Sequence, residues 1–211
     1  RVLVAGGMWP ARRLDAGSTD VDPAALLQPP RPRNDVRAAF AQLRQSGEPL
    51  NVLWVTIDAL RSDATGLDGD TASSLTPNLD ALARSGFAFP DAWSQAPQTT
   101  GSMESFLTGR YPSRTPVASG WRTGKVTFEA PSIVELAREA GFETAWFTGL
   151  RKDTLAAPIW ERLKRGFTTV NEEKTAAPDA RRTVTQAIEW LRDDRARFFA
   201  LVHLFDPHAP Y

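Results

Sequence analysis

Apolar positions along most of this chain follow two alternating spacings. Val52-Leu53-Trp54-Val55-Thr56-Ile57, Thr144 to Thr148 (TAWFT) and Phe198 to Phe205 (FFALVHLF) are short, apolar, β-branched or aromatic runs. Their length and content are those of strands buried on both faces. Between them the apolar residues fall three and four apart, as on one face of a helix. Leu79, Leu82 and Ala83 do so after Thr76-Pro77-Asn78, and Met103, Phe106 and Leu107 do so between Thr99 and Gly109. Ser132 to Ala140 is a third such stretch, and Arg181 to Leu191, with Val184, Ile188 and Leu191 on one face, is a fourth. Gly86, Gly109 and Gly141 stand where the first three must stop. Phe87-Ala88-Phe89 adds a short strand. Strands alternating with amphipathic helices predict an α/β fold, a mainly parallel sheet with helices on both faces. In such sheets the site lies beyond the carboxyl ends of the strands.

Residues 1–50 depart from this pattern. Pro29-Pro30-Arg31-Pro32-Arg33 and scattered Gly and Asp replace any sustained period, so the segment reads as a linker or lead-in. Within it, Val36 to Leu43 has helical spacing and Gly47 supplies a stop.

With 211 residues, 42% of them hydrophobic, the chain has material for a buried core. Lys and Arg number 25, as do Asp and Glu, so the overall charge favours neither nucleic acid nor an anionic membrane as partner. An anionic small molecule would need a local site. The absence of cysteine removes disulfides, thiolate metal ligands and cysteine nucleophiles together. No apolar run approaches the ~20 residues of a membrane-spanning helix. Arg1 at the start, and Tyr211 directly after a dense motif, read as cut ends.

Three places carry candidate chemistry. Asp58 ends an otherwise apolar strand, where a hard divalent cation wants oxygen ligands on rigid elements; a carboxylate capping the next turn fits equally. Arg61 and Asp63 follow, as an ion pair or as site residues. Thr99-Thr100-Gly101-Ser102 stands where a helix begins, so free N–H groups and the helix dipole favour an oxyanion there. A hydroxyl of that segment could attack an ester once a coordinated metal eases loss of its proton, or could serve simply as an N-cap. His208, between prolines past the last strand, can donate to a substrate oxygen or hold a rigid turn. His203, inside the strand, reads as a packed, hydrogen-bonded core residue. Lys125, Arg151 and Lys152 could bind an anion or be solvated surface charge.

In order, four segments resemble the sulfatase-like family of the alkaline phosphatase superfamily: Asn51 to Asp63 (NVLWVTIDALRSD), Thr76 to Gly86 (TPNLDALARSG), Thr108 to Pro112 (TGRYP) and Phe198 to Tyr211 (FFALVHLFDPHAPY). The resemblance implies an alkaline phosphatase-like fold in which residues 51–211 form the N-terminal portion of a catalytic domain. It implies a metal-dependent hydrolase or transferase of sulfate or phosphate esters. Asp58 and Thr99 would hold a divalent cation (Ca, or Mg, Mn or Zn), Thr99 would be the nucleophile, and His208 would touch the transferred group or leaving oxygen. Thr100, Ser102, Lys125 and Arg151 would bind the anionic ester substrate, with Thr100 and Ser102 as alternative nucleophiles. Further metal ligands would lie beyond Tyr211, so the segment alone should not form a working site. Relatives often work outside the cytoplasm, and a membrane tether outside this segment is compatible with the sequence. Two departures stand out. Thr99, Gly101 and Met103 replace the Cys or Ser, Pro and Arg of the formylglycine signal, so no formylglycine is expected and phosphodiesterases or phospho-headgroup transferases become the nearer analogy. Ala59 replaces the second Asp of many sulfatases, which leaves a catalytically degenerate binding or scaffold protein as the alternative. Oligomeric state has no signal in the sequence.

Overall fold

A computed structural model describes residues 3–5, 45, 47, 50–67, 74–89, 92–114, 131–150, 158–171 and 179–208. Two compact units divide the chain, Arg1–Glu48 with Arg61–Ala92, and Pro49–Leu60 with Trp93–Tyr211. The helix expected over Val36 to Leu43 lies outside the described residues.

In the first unit, β1 (Leu3–Ala5) pairs in parallel with β3 (Phe87–Phe89), and α1 (Pro77–Arg84) precedes β3. Pro77 suits the first turn of α1 because its missing N–H has no intrahelical partner there. Asp80 of α1 is buried and accepts the Gly66 backbone N–H at 2.9 Å. Arg61 and Asp63 form an ion pair at 2.5 Å with both side chains exposed, so the local-pair reading describes their geometry.

The second unit holds a sheet of four parallel strands in the order β2-β6-β4-β5. These are β2 (Val52–Ile57), β4 (Glu143–Thr148), β5 (Thr169–Val170) and β6 (Phe198–Leu204). Helices α2 (Thr99–Thr108), α3 (Ile133–Glu139), α4 (Pro158–Leu163) and α5 (Ala180–Leu191) belong to the same unit. One face of the sheet packs Trp146, Phe199 and Leu201 against Met103 and Leu107 of α2, Val134 of α3, and Trp160 and Leu163 of α4. The other face packs Ala145, Phe147 and Val202 against Ala187 and Trp190 of α5. Trp146 is the largest fully buried side chain among the described residues. An aromatic of its class removes ~150–250 Å² from water, a favourable transfer of roughly 4–6 kcal/mol.

Helix α3 starts as its sequence asks. Ser132 accepts the Glu135 N–H at 3.2 Å and Glu135 accepts the Ser132 N–H at 2.9 Å, a reciprocal capping box. Gly109 closes α2 in the left-handed region at φ 66°, where a side chain would be strained.

Two expectations fail. Strand β2 is not buried on both faces: it stands at the sheet edge, and Leu53 and Val55 are 52% and 49% exposed. The hydropathy of a strand does not reveal whether a helix covers it, and α5 lies over β4 and β6 instead. Helix α5 turns Thr183, Ala187 and Trp190 to the sheet, leaving Val184 and Ile188 exposed. Small residues on the inner face bring the helix close, and Trp190 fills the space beside Phe147, 5.9 Å away between ring centres. Sequence spacing also misses α4 and the two-residue β5, which are too short to establish a period. No helix among the described residues is long and apolar enough to cross a membrane.

Candidate functional site

The sheet's carboxyl edge gathers the candidate groups. Pairing of β2 with β6 continues one residue past the strand, the Asp58 N–H donating to the Leu204 carbonyl at 2.8 Å. Ala59 then adopts φ 58°, the left-handed region, which costs alanine roughly 1–2 kcal/mol. The chain turns away there, and the Asp58 carboxylate is left at the strand end.

Thr99 is the first residue of α2, preceded by Gln98 as N-cap with no side-chain capping bond. Its hydroxyl is therefore not used in capping. It donates instead to Asp58 Oδ2 at 2.7 Å, joining residues 41 apart in sequence. Thr100 is buried, and the Ser102 hydroxyl lies 2.9 Å from that of Ser94, so Thr99 alone of the three meets Asp58.

His203 approaches the same oxygen from β6, with Nε2 3.7 Å from Asp58 Oδ2. Packed it is, at 2% exposure, with Nε2 turned to Asp58 and Nδ1 without a hydrogen-bond partner. Phe205 lies 4.4 Å from its ring centre and leads to His208, 5.7 Å further on. His208 is exposed, in a turn closed by its own N–H donating to the Phe205 carbonyl at 2.8 Å.

Opposing effects set the Asp58 carboxyl. Burial is the largest and pushes its pKa up. The His203 and Thr99 contacts, with the charge of His203 and of His208, together outweigh it and hold the group below its ordinary 3.8. At neutral pH Asp58 is an anion that accepts one hydroxyl hydrogen bond and has the His203 imidazole 3.7 Å from the same oxygen.

That donor set suits a hard divalent cation in part. An ionised carboxylate oxygen and a hydroxyl oxygen 2.7 Å apart can both touch one ion at bond lengths of ~2.0–2.6 Å. Among the described residues no group of three or more His, Cys, Asp or Glu gathers to complete the shell. Lys125 and Arg151, expected to bind the anion, lie outside the described residues, as does Lys152.

The residue that sequence reasoning left out of the site is His203. Its signal was an imidazole two residues from the end of an apolar strand, but only the β2–β6 register, Thr56 beside His203 and Ile57 beside Leu204, brings it to Asp58.

Comparison with known proteins agrees with this architecture. Residues 50–211 match the family model described as Sulfatase. The chain is 37% identical over 132 residues to steryl-sulfatase from Mus musculus, covering 56% of this chain and 21% of that protein. The C-terminal periplasmic domain of EcEptC from Escherichia coli, in complex with Zn, superposes with TM-score 0.61 at 20% identity, over 78% of this chain and 46% of that one. The phosphonate monoester hydrolase of Agrobacterium radiobacter gives TM-score 0.59 at 20% identity, over 77% and 42%. The chain thus spans about a fifth of the steryl-sulfatase and under half of either solved chain. With the family match covering most of its length, and with the parallel sheet and helices of alkaline phosphatase-like domains, the chain belongs to the sulfatase family of the alkaline phosphatase superfamily.

Proposed function

We propose that the protein is a metal-dependent hydrolase or transferase of sulfate or phosphate esters, with Thr99 as its nucleophile. One observation carries the reading: the Thr99 hydroxyl, at the start of α2, donates at 2.7 Å to an ionised carboxylate at the end of β2. The helix N-terminus offers N–H groups to an ester's oxygens, and the hydroxyl stands beside them. A divalent cation bound at Asp58 and Thr99 would lower the hydroxyl's pKa and offset negative charge on the ester. Among the described residues no group of three or more His, Cys, Asp or Glu completes its shell.

The chain's own residues divide the work. Asp58 Oδ2 accepts the Thr99 hydrogen bond and fixes the direction of Oγ1. Thr99 Oγ1 attacks phosphorus or sulfur, its proton leaves to solvent, and the bond to the departing oxygen breaks. His208 gives that oxygen a proton. Water or an acceptor alcohol then attacks the same centre and passes its proton to His208, the bond to Thr99 breaks, and a proton from solvent restores the hydroxyl.

In the full-length protein, Thr99→Ala should lower turnover of bis(p-nitrophenyl) phosphate or p-nitrophenyl sulfate by at least ~10³-fold, as loss of a nucleophile does. Parent-like turnover on both would remove Thr99 from the reaction. A second reading, a binding protein that keeps the fold without the chemistry, draws on Ala59 in place of a second carboxylate. Stoichiometric divalent metal in the full-length protein, measured by elemental analysis, decides against it.

A further inference from the structure

His203 occupies a seat that packing alone does not require. Its ring is held by Trp146, stacked at 23° with centres 6.5 Å apart, and by Phe205. Its register partner on β2 is Thr56 and its register partner on β4 is Thr148, so three polar residues lie side by side across three strands, next to the apolar row of Trp54, Leu201 and Trp146. Leucine or phenylalanine would fill such a place without desolvating two ring nitrogens. Nδ1 of His203 and Oγ1 of Thr56 are both buried and without a hydrogen-bond partner, on residues that face each other across the strand pair. Buried polar atoms left so are uncommon, and they point to a role for the ring's other nitrogen. That nitrogen, Nε2, faces Asp58 Oδ2, the oxygen that receives the Thr99 hydroxyl.

We propose that His203 is a positioning residue for the reaction. From a fixed place in β6 it presents Nε2–H to Asp58 Oδ2 and holds that oxygen in the orientation that serves both the cation and Thr99. Nε2 is the ring nitrogen turned to Asp58, and Thr56, the register partner on β2, carries the other unpartnered polar atom. The present 3.7 Å is wider than a hydrogen bond, and contacts of this kind tighten when the site fills. His203 touches neither substrate nor reacting atoms; it acts through Asp58. The inference rests on the reading of Asp58 and Thr99 given above.

The test uses the full-length protein and Mn²⁺ as the probe metal, with affinity measured by calorimetry and turnover by bis(p-nitrophenyl) phosphate. His203→Leu keeps apolar volume and removes the donor; should it not fold, His203→Met replaces it. His203→Gln restores an N–H at about the reach of Nε2. The apolar variant should lose ~10–100-fold in Mn²⁺ affinity and in kcat, the range seen when a ligand's hydrogen-bond partner is removed, with KM little changed. His203→Gln should recover at least half of that loss on a logarithmic scale. Parent-like affinity and kcat in the apolar variant, or equal losses in the apolar and Gln variants, overturns the proposal. Asp58→Ala separates the two levels. If it loses Mn²⁺ while the apolar His203 variant keeps it, only the role of His203 falls; if it binds Mn²⁺ like the parent, the reading of the metal site falls and His203's role with it.

Discussion

Asp58 and Glu104 are carboxylates of the same structural unit, both withdrawn from water, in different company. Glu104 lies in the middle of α2 with 1% of its side chain exposed, against the guanidinium of Arg162 on α4, itself 9% exposed. Asp58 lies at the sheet edge with 17% exposure, against a hydroxyl and a more distant imidazole. A guanidinium beside a buried carboxylate neutralises it, so Glu104 has no charge left for a ligand. Burial, and the charge of Arg165, push the Arg162 pKa down to about 10, still protonated at neutral pH. Asp58 keeps its negative charge and has a hydroxyl and an imidazole, not a guanidinium, to answer it. The same helix is involved in both arrangements, Thr99 at its first residue and Glu104 a turn and a half further on. One end presents a hydroxyl to an unanswered anion, and the middle fastens α2 to α4.

The comparison breaks most readily at the pair. Arg162→Ala would leave Glu104 buried and uncompensated, and such losses cost ~3–5 kcal/mol. Urea unfolding should show a fall of that size, while replacing both partners together by leucine should recover most of it. If Arg162→Ala unfolds like the parent, Glu104 is not a structural charge and the contrast with Asp58 disappears.

A smaller effect, of opposite sign, tests where strain is kept. Ala59 is the sole positive-φ residue other than glycine among the described residues, and it directly follows Asp58. Ala59→Gly relieves a penalty of ~1–2 kcal/mol for the left-handed region but adds ~0.5–1 kcal/mol of unfolded-chain entropy. A net gain of about 0.5–1 kcal/mol in thermal or urea unfolding is expected. A loss of stability would mean that the alanine methyl group packs usefully, and that the turn beyond Asp58 is not strained.

Much of the fold was legible because the deciding signals were local. The β-branched run into Asp58, the 3–4 spacing before Gly109 and the amphipathic stretch from Ser132 to Ala140 before Gly141 each declare an element within a dozen residues. What depended on distant chain was not legible. The open face of β2 follows from strand order, and the inner face of α5 from which small residues the sheet accepts. Thr99 is named by the family resemblance, but the hydrogen bond from its hydroxyl to Asp58 depends on how α2 lies against β2. His203 meets Asp58 only through the register of β2 on β6. Glu104 reads as a surface residue of an amphipathic helix until Arg162, 58 residues on, is placed against it.

A third carboxylate sharpens the contrast by holding the chemistry constant and changing burial. Glu135 pairs with Arg165 at 2.6 Å, beside the Glu104–Arg162 pair in the same recess, but Arg165 is 46% exposed and Glu135 22%. Water and salt screen such a pair, so its charge should contribute under ~1 kcal/mol. Burial pushes the Glu135 carboxyl up, while the Ser132 N–H, the Arg165 guanidinium and the Ser132 hydroxyl outweigh it and hold the group below its ordinary 4.5. A carboxyl lowered on folding stabilises the fold above its unfolded value, here about 4.5, and that contribution fades as pH falls through the lower folded value. Glu135→Gln keeps an amide able to complete the capping box but carries no charge. Its urea midpoint should therefore lie slightly below the parent's at pH 7 and approach it as pH falls through the lowered folded value of Glu135. A gap that does not narrow with falling pH would show that the capping geometry rather than the charge holds α3. A gap at pH 7 as large as that of Arg162→Ala would show that burial is not what separates an occupied carboxylate from an available one, and Asp58 would lose its distinction.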